Sequence, residues 1–189
     1  MYPYLIAADK IPDEYIIPNF PFRSQRDNEE NPDGACNVTS LTMCALNCGI
    51  VGDGSRGQLE DQMYDRATRN GWSRHHPAGL KRIVESYGLT DDFTEYGRFI
   101  DIKHAIANNI GCVLQGYFTL SGHIIVVKGY DKTGFWVNDP WGEWFPGGYD
   151  HSVTGESLHY SNRLIARLCS PESMGNPGNI YLHRIYRTR

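Results

Sequence analysis

Cys112-Val-Leu-Gln-Gly-Tyr-Phe118, Gly122-His-Ile-Ile-Val-Val-Lys-Gly-Tyr130 and Phe135-Trp-Val-Asn-Asp139 follow one another closely along the chain. Each run is short and apolar, and turn residues separate them, with Asp131-Lys-Thr-Gly134 before the last. That pattern predicts consecutive antiparallel strands joined by tight turns. Upstream the period is different. Between Ala35 and Asn47 there is no Gly or Pro, and Val38, Leu41, Ala45 and Cys48 recur at helical spacing before Gly49. This predicts a helix from about Cys36 to about Asn47. Residues 58–70, 77–87 and 100–109 read as three further helices, stopped by Gly71, Gly88 and Gly111. Downstream come a helical or irregular piece over 160–169, a Pro/Gly loop over 171–178 and a last apolar strand over 180–186. Residues 1–34 carry five prolines and the polar run Asn28 to Gly34, so short extended pieces and loops are expected there. Helices first and antiparallel strands later is the α+β order, with N-terminal helices packed on a C-terminal sheet.

A length of 189 residues predicts one domain, 1–189. A composition 40% hydrophobic and 21% charged excludes disorder, collagen and coiled coil as readings of the whole chain. Lys and Arg total 18 against 22 Asp and Glu, so no basic excess exists to hold a phosphate backbone, and no nucleic-acid partner is expected. No apolar run approaches the roughly 20 residues that span a bilayer. The N-terminus lacks the basic flank and apolar stretch of a secretory signal, so synthesis in the cytoplasm is expected. Five cysteines is an odd number, which favours free thiols over a disulfide framework.

Cys36 stands apart from the other cysteines. It follows a Pro-Asp-Gly-Ala turn at the expected first turn of a helix, where unpaired backbone N–H groups and the helix dipole favour thiolate. Cys44, Cys48 and Cys112 occupy positions where apolar residues belong. A thiolate needs a base, and the base needs an orienting group. His123, flanked by Gly122, heads a strand, and Asp139 ends the next one. If Tyr130 sat opposite Phe135 and the ladder ran on unbroken, Asp139 would lie opposite Val126, on the other face from His123. The pair therefore predicts an odd-length connection or a bulge near Tyr130 to Gly134, with Gly134 suited to the left-handed position. In the unbroken register Asn138 would be the orienter instead.

Four segments carry a resemblance: Gln25-Arg-Asp-Asn28, Gly34-Ala-Cys-Asn-Val-Thr-Ser40, Gly122 to Asp131, and Val137-Asn-Asp-Pro-Trp-Gly142. In that order they resemble the bacteriocin-processing-peptidase-like branch of papain-type cysteine peptidases, over roughly residues 20 to 165. The resemblance implies a papain-like fold, with Cys36 as nucleophile, His123 as base, Asp139 as its orienter and Gln25 as the oxyanion donor beside the Cys36 N–H. A double-glycine leader is not carried over as substrate. The expected function is cleavage of an amide bond through a thioester, by a peptidase or a peptidoglycan-peptide hydrolase such as a phage endolysin released to the cell wall. A catalytically silent binding module and an acyl transferase of transglutaminase type are the alternatives. His75 and His76, adjacent on a loop, point apart and suit a cleft edge better than a metal. Trp141 and Trp144 are expected to wall a cleft that holds a peptide. No metal or other cofactor is called for, and a monomer is expected.

Overall fold

The structure is a computed structural model and describes residues 4–55, 57–170 and 178–188. A two-residue strand β1 (Tyr15–Ile16) is followed by short 3-10 turns at Gln25–Asp27 and Pro32–Gly34. Then come α1 (Cys36–Asn47), α2 (Leu59–Arg69), α3 (Pro77–Glu85), β2 (Thr90–Gly97) and α4 (Phe99–Ala107). The C-terminal half holds β3 (Gly111–Gly116), β4 (His123–Tyr130), β5 (Gly134–Asn138), the small hairpin β6 (Glu143–Phe145) and β7 (Gly148–Asp150), β8 (Leu158–Ser161), α5 (Asn162–Cys169) and β9 (Ile180–Tyr186). The expected Pro/Gly loop lies outside the described residues except for Gly178.

The main sheet runs β2-β9-β3-β4-β5-β8, with β1 pairing the end of β4, and its pairings are antiparallel. All eight residues of β4 are buried, so the sheet is covered on both faces. Two glycines of β3 tell the faces apart. A Cβ on Gly111 would touch Cys44 Sγ of α1, whereas one on Gly116 would touch Cys169 Sγ of α5. An odd number of steps separates them, so α1 and α5 pack on opposite faces.

Two expectations need correction. The stretch Thr90–Gly97 forms a strand between α3 and α4, so the helices do not all precede the sheet. Its polar run, Thr-Asp-Asp-Phe-Thr-Glu-Tyr, hides the strand from a reading of apolar period; pairing with β9 from the other end of the chain supplies the ladder. The connection from β4 to β5 is also not odd. Tyr130 does pair Phe135, and Gly134 does not take a left-handed conformation. The bulge sits earlier, at Lys128: Val127 pairs Val137 and Gly129 pairs Trp136, so Lys128 is the extra residue. Its carbonyl accepts from Ile17 N at 2.9 Å and its Nζ donates to Ser157 Oγ at 2.6 Å, which accounts for the buried polar groups of the bulge. Past the bulge Val126 pairs Asn138, which sets Asp139 level with Ile125 and on the face of His123.

Candidate active site

The register set by Lys128 has a direct result. His123 Nε2 and Asp139 Oδ1 lie 2.8 Å apart, both side chains buried. Asp139 is held from several sides. The Trp141 backbone N–H donates to Oδ1 at 3.0 Å, and the Tyr149 and Tyr160 hydroxyls each donate to Oδ2 at 3.1 Å. Burial and the Asp139 charge together push both tyrosine hydroxyls far above their ordinary range, so they remain donors. Asp139 N donates to Gly155 O at 2.8 Å, and a Cβ on Gly155 would stand 1.7 Å from the Asp139 carbonyl oxygen. Only glycine fits there. Gly122 has φ +84, and a Cβ there would meet only Gly116 O at 3.8 Å, so it serves the turn into His123 rather than clearing room for the imidazole.

With Nε2 occupied by Asp139, the other ring nitrogen of His123 is the one that meets Cys36. Burial raises the Cys36 thiol, but the hydrogen bond and charge of His123 and the Ile124 backbone N–H outweigh it, and the thiol is lowered from 9.0. Burial likewise opposes the imidazolium, and Asp139 first and Cys36 second overcome it, raising His123 to about 10. The arrangement therefore favours thiolate beside imidazolium. The remaining thiols go the other way: burial raises Cys44, Cys48, Cys169 and, to about 12, Cys112. Ala35, the residue before α1, makes no side-chain cap; Asn37 Oδ1 takes the Val38 N–H at 2.8 Å, and the Cys36 N–H beside the sulfur has no intrahelical partner.

Gln25 is 2% exposed. Its Nε2 donates to Pro32 O at 2.7 Å, and its backbone N–H donates to Pro140 O at 3.0 Å. The turn bearing Gln25 is thus tied both to the segment leading into Cys36 and to the residue after Asp139, with one amide hydrogen left over. Arg74, which the sequence did not single out, stacks on Tyr64 at 3.8 Å and donates to Gly34 O at 3.3 Å and Asn37 Oδ1 at 3.4 Å, bracing the turn on both sides of Cys36.

A cavity of about 670 Å³ opens over Cys36 and His123. His75 and His76 line it; His76 also caps α3, its Nδ1 accepting from Ala78 N at 3.2 Å. Trp141 and Trp144 do not line it. Trp144 Nε1 donates to Phe118 O at 2.8 Å, and its ring meets Phe118 edge-on behind the histidine, so it packs the site from below; Trp141 stacks edge-on against His151. Tyr149 and Tyr160 carry functions the sequence left unassigned, because only the fold brings β7 and β8 to Asp139. Among the described residues no three His, Cys, Asp or Glu side chains gather as a metal site.

Three comparisons bear on this arrangement. The model of the Peptidase_C39 like family matches residues 17–162. The crystal structure of a C39-like peptidase from Bacillus anthracis superposes with a TM-score of 0.64 at 14% identity, covering 94% of this chain and all of that one. A double glycine motif protease from an AMS/PCAT transporter, solved with its leader peptide, gives 0.47 at 16% identity over 87% of this chain and 90% of its own. A stem bromelain precursor gives 0.43 at 13% identity over 99% and 75%. No curated protein matches the sequence.

Proposed function

Because this chain belongs to the Peptidase_C39 like family, cysteine peptidases of papain-like α+β fold, we propose that it cleaves peptide bonds through Cys36, His123 and Asp139. The observation that carries the reading is the opposed shift of one contacting pair: His123 lowers Cys36 against burial and the Asp139 charge, while Asp139 and Cys36 raise His123. The Cys36 thiolate attacks the scissile carbonyl carbon. The oxyanion is received by the Cys36 N–H and the spare amide hydrogen of Gln25. His123 gives its proton to the departing amine, leaving a thioester; it then takes a proton from water as the hydroxyl attacks that thioester. Asp139, bonded to Nε2, keeps the imidazole aligned with the sulfur throughout.

The substrate is a peptide, and the stem peptides of peptidoglycan, cut as an endolysin cuts them, are the finer reading. The open, amphipathic cavity over Cys36 supports it. One chain supplies every group of this machinery, which supports action as a monomer. Iodoacetamide at neutral pH should label Cys36 first and abolish turnover, and Cys36→Ala should be inactive on a peptide library read by mass spectrometry. Labelling of Cys44, Cys48, Cys112 or Cys169 ahead of Cys36, or turnover by Cys36→Ala, defeats the assignment.

A further inference from the structure

Exposed aromatic side chains gathered in one place mark binding sites, whereas single ones do not. Among the described residues four are well exposed: Tyr96 (72%), Tyr117 (66%), Phe145 (46%) and Tyr181 (40%). The three tyrosines all line the cavity over Cys36. They come from β2, the end of β3 and β9, which are neighbours in the sheet. The register explains their meeting. Leu114 pairs Leu182 and Val113 pairs His183, so continuing the ladder sets Gln115 opposite Tyr181, with Tyr117 two residues further on the same face. Tyr96 enters at the irregularity where β2 meets β9 between Thr94 and Gly97. Together they line one end of the cavity that Cys36 and His123 also line.

The chemistry of this end is specific. No protein group ties any of the three hydroxyls among the described residues. Gln115 Nε2 lies 3.3 Å from His183 Nε2, while His183 Nδ1 lies 2.7 Å from Asp91 Oδ2. Nδ1–H donates to the carboxylate, so His183 Nε2 accepts from Gln115, and the Gln115 carbonyl oxygen is left to accept from a ligand. Glu95 and Asn179 stand nearby, and among the described residues the aliphatic ones lining the cavity are Pro77, Ile124 and Leu168. A pocket for an apolar peptide side chain is lined mostly by hydrophobic and aromatic groups, with few polar ones. Flat rings with free hydroxyls, interspersed with carboxamide and carboxylate, instead match a pyranose, which offers a C–H face to stack and hydroxyl and amide groups to bond.

Resting on the peptidase reading above, we propose that Tyr96, Tyr117, Tyr181 and Gln115 form a subsite for a sugar ring covalently carried by the peptide substrate, so that the preferred substrate is a peptide bearing amino sugars. The test uses inactive Cys36→Ala in the full chain, with calorimetry on two probes: a stem peptide and the same peptide linked to its N-acetylated disaccharide. The sugar-linked probe should bind at least about tenfold more tightly, and Tyr117→Ala and Tyr181→Ala should each remove about three- to tenfold of that advantage. Affinity for the bare peptide should stay unchanged in both variants. Equal affinity for the two probes overturns the proposal. So does an equal loss for both probes on tyrosine substitution, which would make this end of the cavity a peptide side-chain site. Turnover of either probe by Cys36→Ala would instead defeat the peptidase assignment, and the two failures are separable.

Discussion

Two histidine–aspartate pairs lie buried in the same sheet. His123 pairs with Asp139 at 2.8 Å and His183 with Asp91 at 2.7 Å. Their β3 partners, Gly116 and Val113, are an odd number of steps apart, so the pairs face opposite sides. Distance and burial hardly separate them. What separates them is the other ring nitrogen: in His123 it meets the Cys36 thiol, in His183 a carboxamide. A buried His–Asp pair is thus no signature of catalysis by itself. The group beyond the ring decides whether a proton has anywhere to go.

Substitution should draw the same line. His123→Ala is expected to lower kcat by about 10⁴-fold or more, since the thiolate loses the base that made it. His183→Leu leaves the Asp91 carboxylate buried without its partner, and breaking such a pair costs about 3 kcal/mol of stability. Its damage should appear in the urea midpoint, with kcat of the folded fraction falling far less than in His123→Ala. A kcat loss in His183→Leu as large as in His123→Ala would erase the distinction.

A smaller effect is expected at Gln25. Removing one donor to the oxyanion costs about 10²–10³ in kcat. Gln25→Ala should show that loss in kcat of the folded fraction, with the urea midpoint also lowered because the bond from buried Gln25 to Pro32 O is lost. A change confined to KM would move Gln25 from oxyanion stabilisation to substrate binding, leaving the Cys36 N–H as the donor.

The contrast also marks what the sequence could tell. Cys36, His123 and Asp139 were legible because each sits at a junction the chain spells out locally: a turn before a helix, a glycine before a strand, a proline after one. α1 runs from Cys36 to Asn47 as its apolar spacing required. Lys128 was not legible as the bulge. A lysine inside Ile-Ile-Val-Val-Lys-Gly-Tyr reads as an ordinary strand residue, and only Ile17 and Ser157, distant in sequence, account for its polar groups. Asp91–His183 was hidden for the same reason, since residues 92 positions apart meet only through the β2–β9 ladder. Trp141 and Trp144 misled because aromatic crowding in sequence does not say which side of a sheet it covers. The exposed tyrosines, scattered over three strands, gave no local signal at all.

The subtlest prediction concerns how the His123 charge is shared between its neighbours. Its folded value, about 10, lies above the ordinary 6.5. A raised value means the folded state binds the proton more tightly, so this group's stabilisation is fully present below about pH 6.5 and is lost as pH rises toward about 10. The kcat/KM profile should therefore have an acid limb below pH 9, set by Cys36, and an alkaline limb near 10, set by His123. Asp139 contributes more than Cys36 to the raised value. In Cys36→Ala, the alkaline end of the stability slope should move to lower pH, because only Asp139 then opposes burial. In Asp139→Asn it should move further. Urea unfolding across pH 6 to 10.5 on the three proteins reads the order directly. A larger displacement in Cys36→Ala than in Asp139→Asn would make the sulfur the main partner of the imidazolium, and Asp139 a group that only aligns the ring.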